Sequence, residues 1–251
     1  MKGFAFVLLC VIAAVQGRST GVQVANNQRS LAALGENPWV VHLRLAVSTS
    51  GFLETCVASL IDSTWLLTSA SCVHDARFIW ARFGCIEVIR AELVLETSAV
   101  RVHPLFREGN DVALVALNRV VDFTQNIAVI PLPAQDADVG VSGNFCAYGE
   151  NDDNTPGDYL SCYDVDIITI NDLALVAGDD LSVSKFDVGA PLVDNGVLIG
   201  SVAAAGEDEG TVVFTRTSAY IDWIVSQTGI QLGREAPRAP GAPESIIIVD
   251  N

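Results

Sequence analysis

An all-β domain, a sandwich or a barrel followed by one late helix, is what this sequence predicts, on three observations. Short runs rich in Val, Ile and Leu recur along the chain, separated by Gly, Asn, Asp or Pro, which is the pattern of many short strands joined by turns. Helical periodicity occurs with force once, in SAYIDWIVSQTG (218–229). The hydrophobic fraction is 50%, ample for a sizeable core and outside the range of a disordered chain.

The strands read in order as WVVHLRLAV (39–47), CVASLI (56–61), RFIWARFG (77–84), DVALVAL (111–117), DVDIITI (164–170), GVLIGSVAAA (196–205) and TVVFTRT (211–217). In the helix, Ser218 is placed to cap the start, Tyr220, Ile221, Ile224 and Val225 form an apolar face, and Gly229 ends it. No internal repeat of fixed period is visible.

Both ends change character. Residues 1–17, MKGFAFVLLCVIAAVQG, read as a signal peptide: Lys2, an apolar stretch, then small residues near Gly17. Polar Gln16 ends the run short of the ~20 residues needed to span a bilayer, so the expected product is secreted and soluble, with no membrane partner. Residues 231–251 alternate Pro with Ala before a short β-prone end, a composition of extended linkers.

Removing the signal takes Lys2 from the 14 basic residues and leaves 13 against 30 acidic ones, a net of −17. That balance argues against nucleic acid, whose phosphates reward clustered Lys and Arg. It suits a secreted protein or one with a basic partner. Five cysteines remain after Cys10 is lost: Cys56, Cys72, Cys85, Cys146 and Cys162. An oxidising compartment favours disulfides, and an odd count leaves one thiol over. Cys146 and Cys162 flank a hairpin and can face each other across it. Pairing them leaves Cys85, either a buried small residue or an intermolecular link. No C-x-x-C pair or His-rich tract supports a metal, and no cofactor is expected. The acidic stretch 150–158, ENDDNTPGD, lacks the ligand spacing of a Ca²⁺ loop and reads as a solvated turn.

Several segments, in this order, resemble the chymotrypsin-like serine protease family. GENPWVVHLRL resembles its opening strand, WLLTSASCV the segment that carries the catalytic histidine, and NDVALVAL (110–117), preceded by VHPLF, the strand of the catalytic aspartate. FDVGAPLV (186–193) resembles the nucleophile loop, and TVVFTRTSAYIDWI the last strand and closing helix. The resemblance implies two antiparallel six-stranded β-barrels with a C-terminal helix, over residues 35–125 and 126–230, with 18–34 an N-terminal segment. It also implies a Cys56–Cys72 disulfide.

The family's chemistry needs an imidazole to take a proton from a serine, with a carboxylate orienting the imidazole. Carried over residue by residue, Asp111 keeps the carboxylate position, the base position is Ser71 and the nucleophile position is Val188. Phe186 stands where the family places a glycine beside the oxyanion site. Residues 203–205, all Ala, match the substrate-pairing strand, and Ser182 falls at the base of the specificity pocket without the cysteine pair that braces it. Asp187 matches the aspartate that pairs with a freed N-terminus, yet no Ile-Val-Gly-Gly-like start lies upstream, so Asp187 must be exposed, protonated or held by other donors. His74, one helical turn beyond Ser71, reads as a surface residue; His42 and His103 match non-catalytic positions.

The resulting expectation is a secreted, catalytically inactive serine protease homologue, similar to those abundant in insect haemolymph and secretions. It would bind a protease, an inhibitor or another cascade component as cofactor or decoy. A structural or storage protein, a small-molecule carrier using the altered cleft and an endopeptidase with unusual residues are the alternatives. Oligomeric state is left open by the sequence.

Overall fold

The computed structural model describes residues 30–47, 51, 53–134, 139–178, 181, 183–205 and 210–233. The expected signal peptide, the N-terminal segment up to residue 29, Ser182 and the tail from residue 234 lie outside the described residues.

The chain opens with a short strand β1 (Ser30–Leu31), then builds a first barrel from β2 (Val40–Val47), β3 (Leu53–Asp62), β4 (Trp65–Thr68), β5 (Ala76–Phe83), β6 (Leu93–Thr97), β7 (Ala99–Val102) and β8 (Ala113–Ala116). One short helix, α1 (Ala70–Val73), sits between β4 and β5. The antiparallel order is β6-β5-β2-β3-β4-β8-β7. Strands β6 and β7 are one stretch of chain bent at Ser98. The Thr97 hydroxyl donates to the Ala116 carbonyl (2.7 Å) and accepts from the Ala99 amide (3.1 Å), so the bend turns one strand from β5 onto β8. Counted as one, it gives the six strands expected.

The second barrel uses β9 (Ser142–Ala147), β10 (Ser161–Ile170), β11 (Ala174–Ala177), β12 (Pro191–Asp194), β13 (Val197–Ala205) and β14 (Val212–Arg216). Its order, β10-β11-β14-β13-β12-β9, closes because β9 also pairs with β10, and β1 is added on β10. Closure removes the unpaired edges that an open sheet would present. Strand β1 falls in what the sequence marks only as an N-terminal segment; two residues are too few to carry a period.

Leu43, Leu60, Ile79 and Phe83 fill the first barrel, and Phe145, Leu175, Leu192 and Phe214 the second. The C-terminal helix α2 (Ile221–Thr228) locks the two together. Tyr220 and Ile224 pack with Ile61, Leu67 and Leu114 of the first barrel and Leu198 of the second. Each such buried aliphatic side chain is worth roughly 1.5–3 kcal/mol. Gly229 ends α2 as expected, at φ +73°, with its N–H on the Val225 carbonyl (2.8 Å). The start differs from expectation. Residues 217–220 form a 3-10 turn, and α2 begins behind Tyr220 with no side-chain cap. The Ser218 hydroxyl is taken by the Arg216 guanidinium (2.8 Å), a charged donor that leaves it unavailable as a cap.

Both expected disulfides are present. Cys56 on β3 bonds Cys72 in α1 with Cα atoms 6.1 Å apart, and Cys146 on β9 bonds its register partner Cys162 on β10 at 4.1 Å. Cys85 is a free, buried thiol beside the Tyr148 hydroxyl (3.3 Å), and burial pushes its pKa up.

Candidate functional site

The site lies where the barrels meet, and three inter-barrel hydrogen bonds set its frame. Ser69 donates to the Val202 carbonyl (2.6 Å), Thr215 to the Asp111 carbonyl (3.0 Å), and the Tyr220 hydroxyl to the Asn110 side chain (3.2 Å). The first anchors the α1 segment to β13 just before residues 203–205. The other two fix residues 110–111 against β14 and the turn before α2.

Ser71 and Asp111 are brought together. The Ser71 amide donates to Asp111 Oδ1 (2.6 Å) and its hydroxyl to Oδ2 (2.8 Å). Helix α1 has no side-chain cap of its own, and the Ser69 hydroxyl donates across to the Val202 carbonyl. Asp111 therefore serves as a cap supplied from 40 residues away, with its negative charge at the helix start. Burial raises its pKa, and the bonds from Ser71 and Ala70 oppose that rise. This carboxylate binds backbone and hydroxyl donors; it orients no imidazole.

His74 does not take over the base position. Its Nδ1 faces the Ala70 carbonyl (3.2 Å), its Nε2 faces Asp75 (3.2 Å), and its ring lies on Phe106. His103 lies against the rings of Tyr220 and Trp223. His42 is buried against Tyr148, 2% exposed, and its pKa is lowered to about 3 by burial first and then by Arg82 and Arg44.

The loop matching the nucleophile segment presses on the first barrel. The Val188 carbonyl accepts from the Val57 amide (3.0 Å), and its side chain packs on the first barrel's core. Gly189, at φ +84°, donates to the Val202 carbonyl (2.8 Å). Asp187 is 2% exposed and is held by other donors: the Gly149 amide (2.7 Å), the Ser184 amide (2.9 Å) and the Ser184 hydroxyl (3.1 Å). Of the three possibilities open in sequence, the third is the one observed.

Ser184 is the residue that sequence reasoning missed. Its hydroxyl donates to Asp187 and accepts from the Phe186 amide (3.2 Å). That amide belongs to the residue at the oxyanion position, and here its proton points into its own loop. The Phe186 ring carries the Lys185 ammonium over its face at 4.9 Å. The signal was legible as Ser-x-x-Asp over 184–187, the spacing of a local side-chain-to-backbone turn.

Residues 203–205 end β13, where the register with β14 shifts between Val202 and Ala204. The acidic stretch 150–158 folds as a turn in which the Asn151 amide reaches Thr155, Pro156 and Asp158. Among the described residues there is no group of three or more His, Cys, Asp or Glu able to hold a metal.

The trypsin family profile matches residues 27–224. A collagenase of Hypoderma lineatum is 32% identical over 203 residues, covering 70% of this chain and 76% of that protein. Brachyurin of Leptuca pugilator is 30% identical over 218 residues, covering 77% and 95%. A solved HL collagenase structure superposes with a TM-score of 0.74 at 27% identity, over 82% of this chain and 99% of its own. Human heparin binding protein has the same fold at a TM-score of 0.71 and 20% identity, over 82% and 99%. Two barrels with a helix binding them together thus agree with the sequence comparison, and the chain belongs to the trypsin family.

Proposed function

We propose that this chain is a secreted, non-catalytic homologue of the trypsin-family proteases, of the kind met in insect secretions. In this reading it acts by binding a protein, whether a protease, an inhibitor or another cascade component, as cofactor or decoy. The observation that carries the reading is the Ser71–Asp111 pair. Where an imidazole would be oriented, the carboxylate is occupied by a hydroxyl and an amide. Val188, with no group to be acylated, stands at the nucleophile position. The loop beside the cleft is held in part by the bonds of Asp187 to Gly149 and Ser184, which supports an ordered surface for a partner.

The relatives carry the names of proteases, so catalysis through unusual residues is the competing reading. Serine-directed organophosphorus probes and a panel of fluorogenic peptides separate the two, before and after trypsin treatment. We expect neither labelling nor hydrolysis above buffer. Stoichiometric labelling that disappears on unfolding would overturn the non-catalytic reading. Affinity capture from the native secretion then tests the binding role: one tight protein partner supports it, and abundance without a partner favours a structural protein.

A further inference from the structure

Strand alternation sends Leu43, Leu45, Ile79 and Ala81 into the core of the first barrel and their neighbours outward. The outward residues meet in register: Arg82 of β5 lies opposite His42 of β2, Arg44 of β2 opposite Trp80 of β5, and Ala46 of β2 opposite Leu53 of β3. Two arginines therefore share one outer face, on diagonal positions of adjacent strands. Arg44 is exposed and Arg82 half-buried. Burial first and then the Arg44 charge lower the Arg82 pKa, and both guanidinium charges are felt by His42.

The sequence carries 30 acidic residues against 14 basic ones, yet neither guanidinium has a carboxylate partner among the described residues. Glu96 of β6 faces the same way, but it accepts the Trp80 indole N–H (3.1 Å), and Trp80 stands between it and Arg44. Neighbouring like charges repel, and a counter-charge brought by a partner relieves that cost. Apolar surface borders the pair: Phe78 packs edge-on to Trp80 at 4.7 Å, and Leu53 is 44% exposed. Cations beside rings and an open aliphatic side chain suit a ligand that carries both carboxylates and an apolar group. A uniform polyanion would meet two cations here and the repulsion of a chain of net charge −16.

We propose that the outer face of β5, β2 and β3 docks an extended acidic segment of a protein partner through Arg82 and Arg44. Arg82, Arg44 and Leu53 lie on one diagonal across the three strands, each one register step beyond the last. Diagonal neighbours across an antiparallel pair are roughly 7–8 Å apart. Side chains two residues apart in an extended peptide leave the same face at a spacing of about 7 Å. A segment of the pattern Glu-x-Glu-x-Leu thus sets one carboxylate on each guanidinium and its Leu on Leu53. The inference rests on the protein-binding reading for the class of partner and is independent of whether the cleft is catalytic.

Peptide titration of the full chain at low ionic strength, read by fluorescence anisotropy, tests it. The probe is labelled Gly-Ser-Glu-Ser-Glu-Ser-Leu-Ser-Gly, with a twin that carries Gln in place of both Glu. The Glu peptide should bind saturably, and the twin at least about tenfold more weakly. Arg44→Glu, at an exposed position, should weaken the Glu peptide by at least about tenfold. Arg119→Glu makes the same change of charge at an exposed position after β8 and should leave binding within about twofold. No saturable binding, equal binding of the twins, or equal losses in the two variants overturns the proposal. A heparin fragment that binds more tightly than the peptide and depends on Arg44 also overturns it, and assigns the face to a sulfated polysaccharide. A protein captured from the native secretion that binds Arg44→Glu with unchanged affinity overturns this surface and leaves the protein-binding reading standing.

Discussion

Asp111 takes its role from what stands opposite it. A histidine would donate one ring N–H to the carboxylate and keep the other ring nitrogen free to accept a proton; Ser71 instead donates its amide and its hydroxyl to the two oxygens. Burial favours the neutral acid, so this group alone contributes less to stability as pH rises through its raised pKa. His42 has the opposite sign. Its folded pKa of about 3 lies below the ordinary 6.5, so the unfolded chain binds more protons between those values. Stability from His42 is complete above pH 6.5 and is lost as pH falls, with a slope of up to about 1.4 kcal/mol per pH unit. Its Nδ1 is buried with no hydrogen-bond partner, so His42→Leu should fold and should flatten that acid limb. Thermal melts of both proteins from pH 7 to 4 check this, and parallel curves refute it. The closeness of Ser71 to Asp111 follows the resemblance in sequence, while the base and nucleophile roles of positions 71 and 188 stay what that resemblance implies. The double use of the Ser184 hydroxyl was not legible in sequence, because it depends on a loop conformation that brings residues 184–187 into contact.

At the level of elements, the nucleophile loop is fixed by how closely it approaches β3 and β4. A Cβ on Gly189 would strike the Thr68 hydroxyl and the Val57 carbonyl, which are themselves joined at 2.7 Å, and the backbone there is left-handed. Gly189→Ala should cost backbone strain of about 1–3 kcal/mol and overpacking of about 1–3 kcal/mol. Gly196, in the β12–β13 turn at φ +74°, has nothing within 4 Å of its Cβ position, so Gly196→Ala isolates the strain alone. Denaturant unfolding should place Gly189→Ala below Gly196→Ala by at least ~1 kcal/mol. Equal losses would mean that the loop yields and is not clamped. The strands with long Val and Ile runs, β2, β3, β10 and β13, were readable from pattern. Short β1 and the split of β6 from β7 were not, since one is two residues long and the other turns on a single hydroxyl at Thr97. The helix end was set by Gly229 and was read correctly. Its start depended on Arg216 capturing Ser218, a tertiary contact invisible to a local rule.

Across the whole molecule, the residues on which the non-catalytic reading rests lie in separate segments on both barrels, and that separation makes a strong test. Ser71→His with Val188→Ser rebuilds the triad on paper, since Asp111 is already in place. We expect the double variant to show no peptide hydrolysis above background. The introduced imidazole would have to take the place of the Ser71 hydroxyl on Asp111 while the Ser71 amide bond still caps α1, and the Phe186 amide would still donate to Ser184 at 3.2 Å and not toward a developing oxyanion. Losing one such donor costs a working enzyme about 10²–10³ in rate. Residues 203–205 read Ala-Ala-Ala where the family pairs substrate through a strand ending in glycine. The bonds of the Asp187 carboxylate to Gly149 and Ser184 hold the loop in this arrangement. A fluorogenic peptide panel, run on protein whose circular dichroism matches the native chain, reads the outcome. Robust turnover would show that the triad side chains were the whole deficit and that the Ser184–Phe186 bond opens readily. Silence in the folded double variant would place the deficit in the loop and the substrate strand as well as in the triad.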